Sequence, residues 1–492
     1  MIQRLIVPLF VLTAGTLAWS QSSARELARL LQEKGLISQS DLSRVEQLDA
    51  EQSVRLLTSI LQEKGLINGT EAASVQSGVE AVPANTPRPV VQNQSVAAVV
   101  QPAQRKQTAP AEGSVTAQSK FPVTIYGTLL WNSFYNTAAS NNTDIPLFAS
   151  PNAPGPVENF GMTARQTRLG LRYQGPEIGG ARLSGEVETD FFGGKAALAN
   201  GINMDILRLR LAFGRLDWTN FSLEAGQDWV IFAPLNPTSL AEYAIPAMSG
   251  SGNLWIRSPQ IRTEWRHDLG QGRRVLWQLA ALDPNVGDNP VAFATLRQPK
   301  AGELGRGPAV ESRVTVATPI GDRQAEIGVS GHWNPARNVG STGTEVLVRN
   351  FQAWGVALDY NLPLLKWFGL SGEVFGGRAL GVFTGDIGQS YLAPGTPGEH
   401  GIGTRGGWMQ AQFNWVAKWQ TNAAYGIDAP ELHSLTTGAR AKNQTYMVNL
   451  MYKFSPAVTF AWEWRRFLTN YRNQLAANNL GDQANMAVAY TF

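Results

Sequence analysis

Residues 205–217 read DILRLRLAFGRLD, and apolar and charged side chains alternate along this stretch. Leu207, Leu209, Leu211 and Phe213 share one parity, whereas Arg208 and Arg210 share the other. Successive side chains of a β-strand point to opposite faces, so this period predicts a strand with one apolar and one charged face. A strand half buried in a soluble core has the same pattern, and the number of such segments distinguishes the two cases.

Segments of this kind recur from Phe121 onward, and the breaks between them differ systematically in length. The breaks after even-numbered strands are short, whereas those after odd-numbered strands are mostly long, such as 231–258 and 284–309. The predicted strands are 123–134, 163–174, 181–193, 205–214, 220–230, 259–268, 273–283, 310–320, 325–335, 350–361, 367–380, 406–417, 421–430, 443–454, 458–470 and 485–492. An even number of short strands with short turns at one end is typical of outer-membrane barrels. We therefore predict a mainly β fold over 121–492, a 16-stranded antiparallel transmembrane β-barrel with apolar residues toward lipid and charged rows toward a wet lumen.

The composition agrees with this class and excludes others. Only 16% of the residues are charged, glycine reaches 49, and there is no cysteine. The absence of cysteine excludes thiolate metal sites, disulfides and a cysteine nucleophile. A net charge of +3 does not suggest a nucleic-acid partner. We predict no cofactor and no metal site.

The region ahead of the barrel has three parts. Residues 1–20 have a positive start, an apolar stretch and small residues at the end, which predicts a secretory signal. Within 21–80, LQEKGLI occurs at 31–37 and 61–67, and the spacing predicts helices at about 24–34, 40–64 and from 70. Their apolar stripes are too narrow to bury themselves alone, which predicts self-association. A coiled coil, a cell-wall contact and a spacer all remain open. Residues 81–120 are rich in Pro, Gln and Ala and predict a flexible linker.

Three stretches carry a family resemblance: RLGLRYQGPEIGGARLSGEVETDFFGG (168–194), LRLRLAFGRLDWTNFSLEAGQDWVIF (207–232) and SPQIRTEW (258–265). They resemble trimeric outer-membrane porins, most closely the DcaP-like porin family. The resemblance implies a homotrimer in the outer membrane, a periplasmic helical segment ahead of the barrel, and a constriction loop after the fifth strand at about 231–258. It also implies small anionic solutes such as dicarboxylates.

The alternation assigns charged residues to the lumen. The candidates for pore lining and selectivity are Arg168, Arg208, Arg210, Arg262, Arg266, Arg313, Glu186, Glu188, Asp190 and Glu242. Adjacent strands carry opposite charges, so the residues are either ladders that stiffen the wall or the source of a field that selects solutes. The arginines at the root of the predicted loop favour selection.

These patterns predict a passive diffusion channel for small hydrophilic solutes, with a tether to the cell wall as the alternative. We predict no enzymatic activity, because the four histidines are scattered and no hydrolase or metalloprotease motif is present. An energy-coupled receptor would need about 22 strands and a plug. The last strand contains NMAVAYTF, in which Met486, Val488 and Tyr490 are expected to face lipid. Tyr490 and Phe492, with Phe492 at the periplasmic rim, are predicted to form the signal for the outer-membrane assembly machinery.

Overall fold

The computed structural model describes residues 28–29, 31–32, 37–48, 50–64, 121–151, 157–195, 205–287, 298–342 and 345–492. The chain divides into two compact units, Met1–Asn93 and Gln94–Phe492. The predicted signal, the predicted helix from residue 70 and the predicted linker lie outside the described residues. None of the described helices is long and apolar enough to cross a membrane.

The N-terminal unit contains α1 (Gln39–Glu46) and α2 (Ala50–Glu63), and residues 28–29 and 31–32 are also helical. A capping box starts α1, because the Asp41 amide donates to Ser38 Oγ and the Ser38 amide donates to Asp41 Oδ2. Apolar residues of this unit pack into one cluster: Ala28, Ile37, Leu42, Val45, Leu57 and Ile60. The expectation that the stripes cannot bury themselves was therefore wrong, since α1 and α2 cover each other within one chain. The coiled coil stays a prediction.

The described residues after 120 form seventeen strands, all paired antiparallel with their neighbours. Their bounds are β1 Val123–Asn136, β2 Asn159–Thr163, β3 Arg168–Ile178, β4 Ala181–Asp190, β5 Arg208–Asp217, β6 Phe221–Trp229, β7 Arg257–Gly270, β8 Arg273–Leu282, β9 Ala309–Ile320, β10 Arg323–Thr342, β11 Glu345–Leu365, β12 Phe368–Arg378, β13 Gly403–Val416, β14 Trp419–Pro430, β15 Arg440–Lys453, β16 Val458–Tyr471 and β17 Gln474–Thr491. The short helix α3 (Ala301–Leu304) and the 3₁₀ turns Gly381–Phe383, Asp386–Gly388 and Leu432–Ser434 lie in the connections.

The sheet closes on itself with sixteen strand positions. β1 pairs with β17 from Thr128↔Thr491 to Asn136↔Gln483. On its other side β1 pairs with β2 and then with β3, so these two short strands share one position. The predicted sixteen-stranded antiparallel barrel is confirmed, although its second strand is interrupted at 164–167.

Burial along the strands is inverted relative to a soluble sheet. On β9, Val310, Val314 and Val316 are exposed on the outer face, whereas Glu311 and Arg313 are buried toward the interior. An apolar outer face has no favourable partner in water but is matched to lipid. The alternation in the sequence therefore belongs to a barrel that places its charged rows inside.

The two ends of the barrel differ. Short turns join β3 to β4, β5 to β6 and the later equivalent pairs at one end, called here the short-turn end. The opposite end, the long-loop end, carries most of the long connections. The predicted loops at 336–349 and 471–484 were wrong, because β10, β11 and β17 extend through most of these residues. β10 and β11 remain paired as far as Thr342↔Glu345, so the hairpin continues well past the predicted strand ends.

Aromatic residues on the outer face gather near the short-turn end, where Trp265 stacks on Trp277 with 4.6 Å between ring centroids. Three other aromatics near strand ends contact luminal or loop residues instead. The Tyr126 hydroxyl donates to Glu186 at 2.6 Å, and Trp229 and Trp255 lie beside each other at the root of an inner loop.

Candidate pore constriction

The connection between β6 and β7, residues 230–256, folds into the barrel and is called here the inner loop. Nearly all of its residues from 230 to 254 are buried or half-buried. Phe232 and Leu254 belong to an apolar cluster with wall and loop residues that include Phe375 and Phe383. The predicted loop at 231–258 is thus present, with bounds shifted because Arg257 starts β7. Its scarcity of charge follows from its position inside the barrel.

Side chains of the wall satisfy the backbone of the inner loop. The amides of Ile231 and Phe232 donate to Glu311 Oε2 at 3.0 and 3.1 Å. The Leu235 amide donates to Glu373 Oε1 at 2.6 Å. Buried amides without a partner are costly, so these carboxylates let an irregular segment lie against the wall.

Gln166 holds residues 241–244 of the inner loop by hydrogen bonds. Its Nε2 donates to the Ala241 carbonyl at 2.8 Å, and its Oε1 accepts from the amides of Tyr243 and Ala244 at 2.8 and 2.9 Å. Gln166 is fully buried and lies in the 164–167 interruption between β2 and β3. The interruption of the predicted second strand therefore coincides with the residue that holds the loop.

Glu242 is the one charged candidate on the loop itself, and it is buried. Its Oε1 forms an ion pair with Arg465 of β16, which also lies 3.4 Å from Glu463. All three side chains are almost completely buried. The position of Glu242 is that of an anchor between loop and wall.

A β-bulge in β5 changes which residues face the lumen. Thr189 of β4 pairs with Leu209, but Glu188 pairs with Leu211, so Arg210 is an extra residue. Leu207 and Leu209 are exposed on the outer face as predicted, whereas Leu211 and Phe213 are buried inside. The expectation that all four share one face was wrong, because a bulge reverses the parity of every later residue.

The luminal charges form a ladder across β3 to β11. Arg208 contacts Asp190 at 2.6 Å, and Arg210 bridges Glu188 at 2.6 Å and Asp190 at 2.8 Å. The other contacts join Arg172 to Glu186, Arg262 to Glu224, Asp228 and Glu264, Arg215 to Asp217, Glu224 and Glu264, Arg266 to Glu264, and Arg313 to Asp359. The structure thus places the predicted charges of the wall on its inner side and pairs nearly all of them.

The luminal arginines differ in exposure. Arg210, Arg262 and Arg313 are as covered as the carboxylates. The side chain of Arg208 is 24% exposed, that of Arg266 is 32% exposed and that of Arg172 is 55% exposed, whereas Asp190 is 0% and Glu186 is 4% exposed. In these pairs, water in the lumen therefore meets the guanidinium group, and the carboxylate lies beneath it.

At the root of the inner loop, two arginines have no carboxylate within 4 Å among the described residues. Arg168 donates to the Tyr243 carbonyl of the inner loop, and its guanidinium lies 3.5 Å from the centroid of the Tyr243 ring. Arg257 lies 4.8 and 5.2 Å from the ring centroids of Trp229 and Trp255. Aromatic faces stabilise a cation without neutralising it. These two residues leave the root of the loop with more guanidinium groups than carboxylates.

The sequence gives little sign of some of these residues. Gln166 lies between predicted strands, and no pattern marks a single buried glutamine. Arg215 reaches the lumen only because of the bulge, and bulges have no reliable sequence signal. Arg257 could have been found, since it and Glu242 are the two charged residues of the predicted loop.

His332 is the histidine nearest to the inner loop. Its Nδ1 lies 3.0 Å from Glu311 Oε1, and its ring packs against Phe232 and Phe383. It helps to hold the loop root. Among the described residues, no three His, Asp or Glu side chains are grouped as metal ligands.

No protein-family model and no curated protein sequence matches the chain. Among solved structures, the outer membrane channel DcaP of Acinetobacter baumannii is similar to it with a TM-score of 0.56 at 16% identity. The match covers 77% of this chain and 99% of that one. The chain has the fold of an outer-membrane porin.

Two further solved porin-fold structures are similar at lower scores. OmpT of Vibrio cholerae gives a TM-score of 0.48 at 10% identity, covering 77% of this chain and 100% of that one. The anion-selective porin from Comamonas acidovorans gives 0.45 at 14% identity, covering 76% and 100%. These two likenesses are too weak to carry an argument, and the porin fold rests on the barrel itself and on the DcaP match.

Proposed function

We propose that the protein is a passive diffusion channel of the outer membrane that takes small hydrophilic solutes and prefers anions. The observation that carries the preference is the difference in exposure between the luminal charges. Guanidinium groups of Arg172, Arg208 and Arg266 meet the lumen, whereas Glu186 and Asp190 are covered. A wall of low dielectric constant concentrates the field of the exposed charges in the solvent.

The inner loop brings the solute close to the arginines. Tyr243 is in contact with Arg168, and the Ala244 carbonyl accepts from Arg208 at 2.8 Å. A guanidinium can bind a carboxylate through two parallel hydrogen bonds, so several of them along one wall suit a small dicarboxylate. Each of the exposed guanidinium groups already donates to a neighbouring group, which favours brief contacts over tight binding. Such contacts are what rapid passage requires.

The proposal also includes the orientation of the barrel in the membrane and the assembly of the protein. Short turns are periplasmic in barrels of this class, so the short-turn end is placed in the periplasm and the long-loop end outside. Tyr490 and Phe492 lie at the short-turn end with exposed rings, as an assembly signal requires. We include in the proposal a homotrimer, assembly by the outer-membrane machinery and a periplasmic N-terminal unit.

Reversal potentials in planar bilayers test the preference. The pore variant combines Arg168→Gln with Arg208→Gln. The matched control combines Arg337→Gln with Arg405→Gln, because the side chains of Arg337 and Arg405 point outward from the barrel. A unit charge about 6 Å from an ion in water contributes about 0.7 kcal/mol, or about threefold in permeability ratio for each charge removed. The pore variant should lose most of its anion preference, and the control should keep it. A cation-selective wild-type protein would overturn the proposal.

A further inference from the structure

The outer wall of the barrel carries a cleft at the long-loop end. Pairing between β14 and β15 stops at Asp428↔Asn443, although β14 continues to Pro430 and β15 begins at Arg440. Each strand stays attached to its other neighbour, since β13 and β14 pair up to Thr404↔Pro430. A groove of about 760 Å³ lies at this separation. The turn Leu432–Ser434 contributes Leu432 and His433 to its lining.

Two cations of the cleft point away from the lumen. The neighbours of Arg405 and Lys442 face inward: the Thr404 hydroxyl donates to Asp428 at 2.6 Å, and Asn443 donates to the Gly250 carbonyl at 2.9 Å. By alternation, Arg405 and Lys442 lie on the outer face, where both border the cleft. Neither has a carboxylate within 4 Å in the part of the chain that the structure describes.

The other charged groups at the cleft are already engaged. Glu431 lies 3.8 Å from Arg378 and 3.4 Å from His433. The nearby Arg472 donates to the Leu432 carbonyl at 3.1 Å. The single carboxylate that lines the cleft therefore has other partners, and the cleft keeps an excess of positive charge.

The height of the two cations matches the edge of a membrane. On the same face, Met409 and Tyr446 are exposed below them, and Trp415 and Tyr452 lie near the short-turn end. About ten residues separate Arg405 from Trp415 on β13, and about ten separate Lys442 from Tyr452 on β15. Each separation is about 34 Å of strand. At a tilt of about 40° this is about 26 Å along the barrel axis, close to the height of the apolar band.

We propose that this cleft binds the phosphate group of an anionic lipid, held between Arg405 and Lys442. The inference rests on the proposed membrane function and goes beyond it, since it concerns the outer wall and not the pore. Two ordinary strand spacings would separate the two Cα atoms by about 10 Å, and the opening between β14 and β15 widens this; both side chains are long enough to approach one phosphate from opposite sides of the cleft. The acyl chains lie along the exposed apolar residues below, such as Met409 and Tyr446. A free phosphate ion would gain nothing from that apolar face, which favours the lipid.

Native mass spectrometry of the purified full chain tests this inference. The probe is monophosphoryl lipid A, compared with dioleoylphosphatidylcholine and with inorganic phosphate as competitor. We expect one tightly bound lipid A, weakened tenfold or more by Arg405→Gln with Lys442→Gln. The matched control is Lys366→Gln with Lys453→Gln, which removes the same charge from the short-turn end and should bind as the wild type does.

Several outcomes would overturn the inference: equal affinity in both variants, equal binding of the zwitterionic lipid, or displacement of the lipid by inorganic phosphate. Heat-modifiable migration on a gel establishes that each variant is folded, and Arg405→Lys should retain binding if charge at this position is what matters. Because Arg405 and Lys442 point away from the lumen, single-channel conductance should be unchanged. If the wild-type protein formed no channel in the bilayer, the proposed channel function would fail. The lipid-binding measurement could still be interpreted.

Discussion

Replacing Gln166 with alanine should loosen the inner loop while leaving the barrel closed. The side chain makes three hydrogen bonds to the loop, with Ala241, Tyr243 and Ala244. Each hydrogen bond contributes about 1 kcal/mol, so the conformation in which this segment is attached to the wall loses about 3 kcal/mol of stability. The equilibrium between attached and detached loop then shifts by about 150-fold, since 1.4 kcal/mol is a factor of ten.

Part of the attachment survives in this variant. Arg208 still donates to the Ala244 carbonyl, and Asn132 still donates to the Leu240 carbonyl at 3.0 Å. We therefore expect fluctuation of the segment instead of its release. Single-channel recording should show greater open-channel noise and a weaker anion preference, because Tyr243 no longer holds the guanidinium of Arg168 in place.

Gln227→Ala is the matched control. Its Nε2 donates to the carbonyls of Leu209 and Arg210 in the wall, both at 3.0 Å, and among the described residues it makes no hydrogen bond to the inner loop. This variant should record like the wild-type channel. If Gln166→Ala folds and its noise and selectivity equal those of the control, the clamp described here does not hold the loop.

Three further outcomes are expected. Arg465→Met should lower barrel stability by about 3–5 kcal/mol in urea titrations, because it leaves buried carboxylates unpaired. Glu242→Gln should lower stability less, because Arg465 keeps Glu463 as a second carboxylate. Equal losses in the two variants would contradict this. Burial, reinforced by neighbouring Asp428, raises the pKa of Asp386 well above its usual value. The folded state therefore keeps a proton that the unfolded state releases, so stability of the 379–402 connection should fall as pH rises above about 4, and Asp386→Asn should remove that fall in hydrogen exchange. Removing Phe492, which exchanges backbone hydrogen bonds with β1, should lower the amount of inserted protein before any pore property changes, and normal surface levels would refute this.

Much of the fold was predictable because its signals are local. The period of two in 205–217, and its repetition in sixteen segments, follows from a wall that meets lipid on one face and water on the other. The strand ends were less predictable, since β10 and β11 continue beyond the membrane height as a paired hairpin. The packing of α1 on α2 was missed because two narrow stripes can cover each other only when the chain brings them together.

The sequence by itself determined the barrel, its sixteen strand positions and the presence of a long loop with little charge after the predicted fifth strand. Those features depend on side-chain alternation and on composition, which each segment carries independently. The tertiary structure alone decided that Leu211 and Phe213 face inward, that Glu242 is an anchor and that Arg172 and Arg208 are more exposed than their carboxylates. These depend on the register between strands and on which wall residues the inner loop covers. Both are contacts between residues far apart in the chain, and no local pattern records them.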